Sequence, residues 1–426
     1  MRHFIHLSVS LLLLLILTVP TAAQQGCRSV DYKLDLLSKY PGLTATFLEI
    51  ESFTHRQQER SRVIVNGGGG ANPGGQAPDV IIIPVVVHII YNNSSQNISD
   101  EQVKSQIAVL NRDYRKLNAD TAKIPAYYRS LAADCGIRFV LANVDSNGQT
   151  TTGIIRRQTY QQGFSYNDAV KFTVTGGDNA WDRDRYLNLW VCDLTDGILG
   201  YSSAPGCPKQ NDGVTVDYTA FGTTGTAAAP FNQGRTATHE IGHWLNLIHI
   251  WGDAACGDDG VEDTPQQGSA THGNPSGMIF SCGNGAYGNL YMDYMDFTDD
   301  AGMHLFTYGQ RDRMRTLFAA GGARYPLLSS NGILPGTVEE DPDPASGGGS
   351  IQFYPNPAVS TIHVIRNAQS WQSPELTIYN QSGQRVMGVR VTGNSFDINI
   401  SSLPAGVYFI RTGDASHPAP LKLIKM

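Results

Sequence analysis

Charge is scarce in this chain. Charged residues make up 16% of its 426 positions, acidic residues outnumber basic ones 38 to 31, and the net charge is -7. No basic footprint is available to neutralise a phosphate backbone, which argues against nucleic acid as a partner. Long apolar runs are scarce as well. The one present, Leu11 to Val19, follows Arg2 and His3 and precedes Thr21-Ala22-Ala23, the charged, apolar and small-residue regions of a secretory signal. It is short for a bilayer span, and no other stretch is long enough, so the reading is a signal peptide over 1–23 and no transmembrane span in the mature chain. Gln24 and Gln25 ahead of Gly26-Cys27 argue against a lipoprotein cysteine. Cysteines number six, and in an exported chain they suggest disulfides. Cys256 and Cys282 share a Gly- and Asp-rich loop and are the expected pair, because a long loop gains most from closure. Spacing leaves Cys135, Cys192 and Cys207 unassigned.

What the chain does have is Thr238-His239-Glu240-Ile241-Gly242-His243-Trp244-Leu245-Asn246-Leu247-Ile248-His249. On a helix, His239 and His243 share one face and can hold one metal ion, with Glu240 beside them as the base for a water on that metal. Ile241, Trp244, Leu245 and Ile248 have the spacing of a core-facing side. Asn246 tolerates the left-handed conformation that stops a helix, so the chain can turn and bring in His249. Three protein ligands leave one tetrahedral position open, as a catalytic zinc requires.

Around this helix the chain divides by composition. Residues 24–61 are polar and carry Cys27; residues 62–78 form a Gly-rich tether that cannot bury a core. A tethered segment with one cysteine suggests a pro-segment whose thiolate occupies the open zinc position. The competing reading pairs Cys27 with one of the three unassigned cysteines.

A globular region spans 79–333. Ile81-Ile82-Ile83-Pro84-Val85-Val86-Val87 is a β-branched run with Pro84 expected to mark a break or an edge. Ser99 caps a helix through Val103, Ile107, Leu110, Tyr114 and Leu117. Strands are expected at 137–144, 153–158, 186–192 and 213–218, and a second helix over 310–320 with Met314, Leu317 and Phe318 on one face. This order predicts an α+β domain, a twisted sheet backed by two helices. The loop Asp258-Asp259-Gly260-Val261-Glu262-Asp263-Thr264 gathers carboxylates, which either calcium or plain solvation would accommodate. A second linker, 334–350, leads to residues 351–426, whose short strands read as a small all-β sandwich. That tail holds no cluster of histidines or acids suited to catalysis, so addressing or binding is its expected role.

With those residues in hand, the chain resembles the pappalysin family of metzincin zinc endopeptidases. The carriers are Ile83 to His88, Leu187 to Cys192, the zinc motif with Trp251-Gly252, and Met295-Asp296-Phe297-Thr298-Asp299-Asp300. The resemblance implies a metzincin catalytic domain of twisted mixed sheet, zinc helix and irregular lower subdomain. It places Met295 in a tight turn beneath the zinc. It also implies a zymogen blocked by Cys27, calcium held by Asp259, Asp263 and Thr264, and a preference for arginine after the scissile bond. An acidic residue, Asp299 or Asp300, would pair with that arginine, and Ser61-Arg62 would be the activation site.

Three positions depart from the family pattern. Asn246 replaces glycine, Phe297 replaces a tyrosine, and Gly302 stands where relatives often have a cysteine whose partner near Asn274-Pro275 is also absent. The tail is similar to type IX secretion sorting domains, through Phe353-Tyr354-Pro355-Asn356-Pro357, Leu403-Pro404-Ala405-Gly406-Val407-Tyr408 and the closing Lys422 to Met426. Together these predict a secreted or cell-surface zinc endopeptidase acting as a monomer on protein substrates and exported by the type IX machinery. The alternative is an inactive surface binding or adhesion protein on the same fold.

Overall fold

A computed structural model describes residues 26–66, 80–334, 351–354, 358–366, 375–390, 395–412 and 421–426. The expected signal peptide, most of both linkers and the Phe353 motif's Pro355-Asn356-Pro357 lie outside the described residues.

The sheet is built around β2 (Ile81–Tyr91), an apolar strand almost wholly buried, as expected for one with neighbours on both edges. β3 (Ile137–Leu141) and β4 (Ile154–Gln158) pair parallel with its successive halves, and β5 (Leu187–Cys192) runs parallel on its other side. β7 (Val214–Asp217) follows β5 in parallel, and β6 (Ile198–Ser202) reverses direction against β7. Pro84 neither breaks nor ends β2. It pairs with Val140, while the β5 register begins only at Val85, so its missing donor falls where no neighbour yet waits.

Two helices back one face of the sheet. Ser99 accepts the N–H of Gln102 and caps α3 (Asp100–Tyr114), whose Val103, Ile107, Leu110 and Tyr114 enter the main core. This helix stops at Tyr114, sooner than the periodicity suggests, and Leu117 is left 41% exposed beyond it. A four-residue turn, α4 (Ala126–Arg129), follows. The second backing helix is α5 (Arg235–Trp244), buried along its whole length. Beneath it, β8 (His272–Gly273) and β9 (Phe297–Thr298) form a minimal ladder in otherwise irregular chain. Thr307 and Gln310 form a capping box that starts α6 at Tyr308 and carries it to Thr316, earlier than the expected 310–320; Met314, Leu317 and Phe318 are nonetheless fully buried.

The N-terminal segment is structured, which its composition did not suggest. β1 (Gly26–Cys27) adds to the sheet parallel to β6, at its otherwise free edge. α1 (Ser29–Lys39) then packs Tyr32 and Leu36 onto the face of the sheet away from α5. α2 (Leu43–Asn66) crosses to α6, where Glu51 meets Arg313 at 2.8 Å. It runs through Ser61-Arg62 into the first residues expected to be linker.

The tail forms two antiparallel sheets. One orders β10 (Ile351–Tyr354), β11 (Thr361–Arg366) and β14 (Ser395–Asn399). The other orders β13 (Arg385–Arg390), β12 (Glu375–Asn380), β15 (Gly406–Thr412) and β16 (Leu421–Lys425). Ile362, Val364 and Ile398 from the first share a core with Leu376, Ile378 and Ile410 from the second, the layering of a sandwich.

Candidate metal centre

Gly234, at φ +76°, supplies the left-handed turn from which α5 starts. Ala237, Ile241, Trp244 and Leu245 face the sheet, which turns His239 and His243 towards the cleft. The helix stops in a Schellman arrangement: Asn246 is left-handed at φ +73°, its N–H donates to His243 O at 2.9 Å, and Leu247 N–H donates to Gly242 O at 2.9 Å. The chain then doubles back and places His249 beside the other two histidines. Asparagine performs here the turn that glycine performs in the family pattern.

The three imidazoles converge through their Nε2 atoms. His243 Nε2 lies 3.1 Å from that of His239 and 3.2 Å from that of His249, with Cys27 Sγ 3.3 Å away. Each opposite ring nitrogen is tied down: His239 Nδ1 to Tyr294 O at 2.7 Å, His243 Nδ1 to Leu247 O at 2.9 Å, and His249 Nδ1 to the Asp253 carboxylate. These outer partners fix the rings so that every Nε2 faces the centre. The four donor atoms lie within 4.8 Å of one another, and among the described residues no other group of three or more His, Cys, Asp or Glu does so.

A tetrahedral zinc with bonds of about 2.05 Å to nitrogen needs N···N edges of about 3.3 Å, so the observed spacings fit that ion. Burial, reinforced by the neighbouring His249, holds His239 down to about 3 and His243 well below its ordinary value. Both imidazoles are therefore neutral, the form that ligates. Burial and the Glu240 carboxylate push the Cys27 thiol up, so it ionises readily only when a cation sits beside it.

Glu240 is fully buried next to this cluster, and burial raises it to about 7. Its Oε2 accepts from Ser29 Oγ at 2.7 Å, and Ser29 Oγ in turn accepts the Ser202 N–H at 2.8 Å. Its Oε1 has no hydrogen-bond partner among the described residues. Gly200 makes room for it: a Cβ there would stand 2.8 Å from Glu240 Cγ. Met295 lies directly under α5, with its Sδ 2.4 Å from where a Gly242 Cβ would be.

A cleft opens beside the cluster, lined by Cys27, Leu199, Phe231, His239, Glu240 and Asp300 among others. Asp300 is buried, accepts backbone N–H groups of Gln233 at 2.7 Å and Arg235 at 3.3 Å, and is raised by burial to about 6. Asp299 does not line the cleft; its N–H donates to Gly273 O at 2.7 Å. Phe297 stacks edge-on against His249 at 4.8 Å and offers no hydroxyl.

Cys256 and Cys282 are bonded at 2.09 Å, while Cys135, Cys192 and Cys207 are buried free thiols. A Cβ on Gly302 would stand 3.3 Å from Asn274 Oδ1, so the two halves of the bridge this chain lacks are neighbours in space.

Of the three expected calcium ligands, Asp259 and Thr264 are together and Asp263 stands apart. Thr264 Oγ1 donates to both oxygens of Asp259 at 2.9 Å, whereas the Asp263 carboxylate takes Thr307 Oγ1 at 2.7 Å and Gly309 N–H at 2.9 Å at the start of α6. Thr264 Oγ1 also lies 2.8 Å from Val261 O, so Asp259, Thr264 and a backbone carbonyl bring oxygens to one point, the donor type a hard cation takes, while Asp263 serves the start of α6.

Two residues of the site escaped sequence reasoning. Ser29 contacts Glu240 from 211 positions away and carries no motif. Gly200 sits in β6, a strand too short and glycine-interrupted to show alternation.

Residues 173–319 match the peptidase family described as pregnancy-associated plasma protein-A, and residues 352–426 match the secretion system C-terminal sorting domain. An extracellular metalloprotease of Pyricularia oryzae is 32% identical over 252 residues, 56% of this chain and 75% of that protein. Among solved structures, mature mirolysin of Tannerella forsythia in complex with a cleaved peptide is 49% identical, covers 59% of this chain and 97% of its own, and has a TM-score of 0.58. A promirolysin mutant of the same organism is 42% identical, covers 71% and 97%, and has a TM-score of 0.63.

Proposed function

The chain belongs to the pappalysin family of metzincin metalloproteases, a secreted zinc peptidase with a type IX sorting domain at its C-terminal end, and from that premise we propose which residues act and how they are held in check. His239, His243 and His249 hold the zinc ion, and Glu240 is the general base. When bound, the ion supplies a Lewis acid for the scissile carbonyl and lowers the pKa of water near it. Glu240 takes one proton from the attacking water as the new C–O bond forms, then delivers it to the departing amine nitrogen as the C–N bond breaks. Burial of its carboxyl suits both halves of that exchange. Met295 supports the histidines from beneath. Substrates are polypeptides extended along the β6 edge, with a basic side chain, arginine, entering the cleft after the scissile bond and meeting Asp300.

The same reading makes residues 24–61 a pro-segment. Cys27 would take the ligand position that the three histidines leave open, and Ser29 occupies Glu240. Activation is by cleavage between Ser61 and Arg62, which requires the last turns of α2 to unwind. The boundaries at 62–78, 79–333, 334–350 and 351–426 belong to this proposal.

The observation that carries it is the convergence of the three Nε2 atoms beside a buried, half-partnered Glu240. Incubating the chain lacking residues 1–23 beside its Glu240→Ala variant, with mass spectrometry of every new terminus, tests it. Cuts before Arg62 and before arginine in an added protein, made by the parent alone, are expected. If both proteins, and a Cys27→Ala variant, leave everything intact with zinc present, the assignment fails.

A further inference from the structure

Tyr32, one helical turn beyond Ser29, is fully buried although it belongs to the segment that is to leave. Its ring stands edge-on to Tyr201 at 5.0 Å. Its hydroxyl donates to Asp168 Oδ1 at 2.6 Å and accepts from Lys171 Nζ at 3.0 Å. Lys171 is itself fully buried, donates to Asn211 O at 2.8 Å, and lies 3.0 Å from Asp168 Oδ1. Asn211 Nδ2 holds the other Asp168 oxygen at 2.8 Å. The rings of Tyr201 and Trp190 stand 5.0 and 5.4 Å from Lys171 Nζ. A buried lysine–aspartate pair is costly to desolvate, and nothing in peptide hydrolysis at the metal centre uses this one.

The pocket lies across β6 from the cleft, on the face of the sheet away from α5. Tyr201 follows Gly200, the β6 residue that pairs with Cys27 and accepts the Arg28 N–H at 3.0 Å. When residues 24–61 depart, an ammonium, a carboxylate and two aromatic faces remain around a space shaped by a phenol, next to the strand along which substrate is read.

We propose that this pocket is a second substrate subsite in the mature enzyme, taking the side chain of a tyrosine in the polypeptide being cut. The ligand class is a phenol and not any aromatic, because Lys171 and Asp168 offer one donor and one acceptor to a single hydroxyl. The proposal rests on the protease and pro-segment reading above.

The test is a positional scan with the activated, zinc-loaded enzyme. Starting from a peptide it cuts, tyrosine, phenylalanine or alanine is placed at each position in turn on both sides of the scissile bond. In one register tyrosine lowers KM about tenfold relative to alanine and several-fold relative to phenylalanine, with kcat unchanged. A Lys171→Gln variant with unchanged Tm then treats tyrosine and phenylalanine alike; should it not fold, the scan with the parent decides alone. A scan that is flat while the alanine peptides are cut overturns the subsite and leaves the protease reading standing. If no peptide or protein is cut at all, the failure belongs to the protease reading.

Discussion

Ser29 Oγ donates to Glu240 Oε2 at 2.7 Å, across a boundary between two parts of the chain that proteolysis is proposed to separate. The N-terminal segment therefore engages both halves of the machinery, with Cys27 at the histidines and Ser29 at the base. Cys27→Ala alone should leave partial latency. Adding Ser29→Ala should accelerate self-processing by about tenfold more, the scale of one hydrogen bond to a charged group. Time courses of the Arg62 terminus check this. If the double variant processes no faster than Cys27→Ala, Ser29 plays no part in latency.

Glu240→Gln in the activated enzyme is expected to lower kcat by about 10² to 10⁴ through loss of proton transfer. Bound zinc, measured by elemental analysis, should stay at one equivalent, because the ligands are untouched. Loss of metal together with activity would mean that Glu240 holds the site together and that the base has been misassigned.

Gly242→Ala places a methyl 2.4 Å from Met295 Sδ in a fully buried contact. The expected cost is about 1–3 kcal/mol of stability, read as a lower Tm. Met295→Leu, which conserves volume, should cost less than about 1.5 kcal/mol. An unchanged Tm for Gly242→Ala would show that the turn beneath the zinc helix yields freely.

With Asp300 in the arginine-binding role proposed above, specificity should depend on pH. Burial raises it from 3.8 to about 6, so the folded protein favours its neutral form, and ionising it as pH climbs from about 4 to about 6 works against stability. Attraction for arginine has the opposite trend, since it needs the carboxylate. The ratio of kcat/KM for an arginine substrate over its neutral counterpart should rise through pH 6 and level off above it; the ratio cancels the titration of Glu240, which both substrates share. In Asp300→Asn the ratio should be low and flat. An Asp300→Asn enzyme that keeps the arginine preference would remove this residue from the specificity role.

The metal site was legible because it is local. The histidines and Glu240 fall within eleven residues, and Asn246 announces the turn that recruits His249. The long apolar β2 and the alternation of β5 were legible for the same reason. What stayed hidden is non-local. Gly26-Cys27 is a strand only because β6 offers an open edge, and α1 owes its position to Tyr32 and Leu36 burying against residues from 164 to 207. That Asp300 and not Asp299 lines the cleft depends on the path of the backbone there, and composition carries no sign of it. The partner that Asp263 takes, Thr307, is 44 residues further on, and no local spacing announces it.

The N-terminal segment grips the catalytic domain on two sides. Cys27 lines the cleft and Ser29 holds Glu240, while Glu51 on α2 holds Arg313, whose Nε donates to Asn246 O at 2.8 Å. A single backbone cut after Ser61 removes none of these contacts. Before the cut, a flexible glycine-rich connection would keep the segment at an effective concentration on the order of millimolar, and the proposed latency would be indifferent to how dilute the protein is. After it, on the pro-segment reading proposed above, the same segment would be an ordinary inhibitor that must find the enzyme from bulk solution. Scission and release would thus be separate events, and dilution of the nicked protein would set when activity emerges.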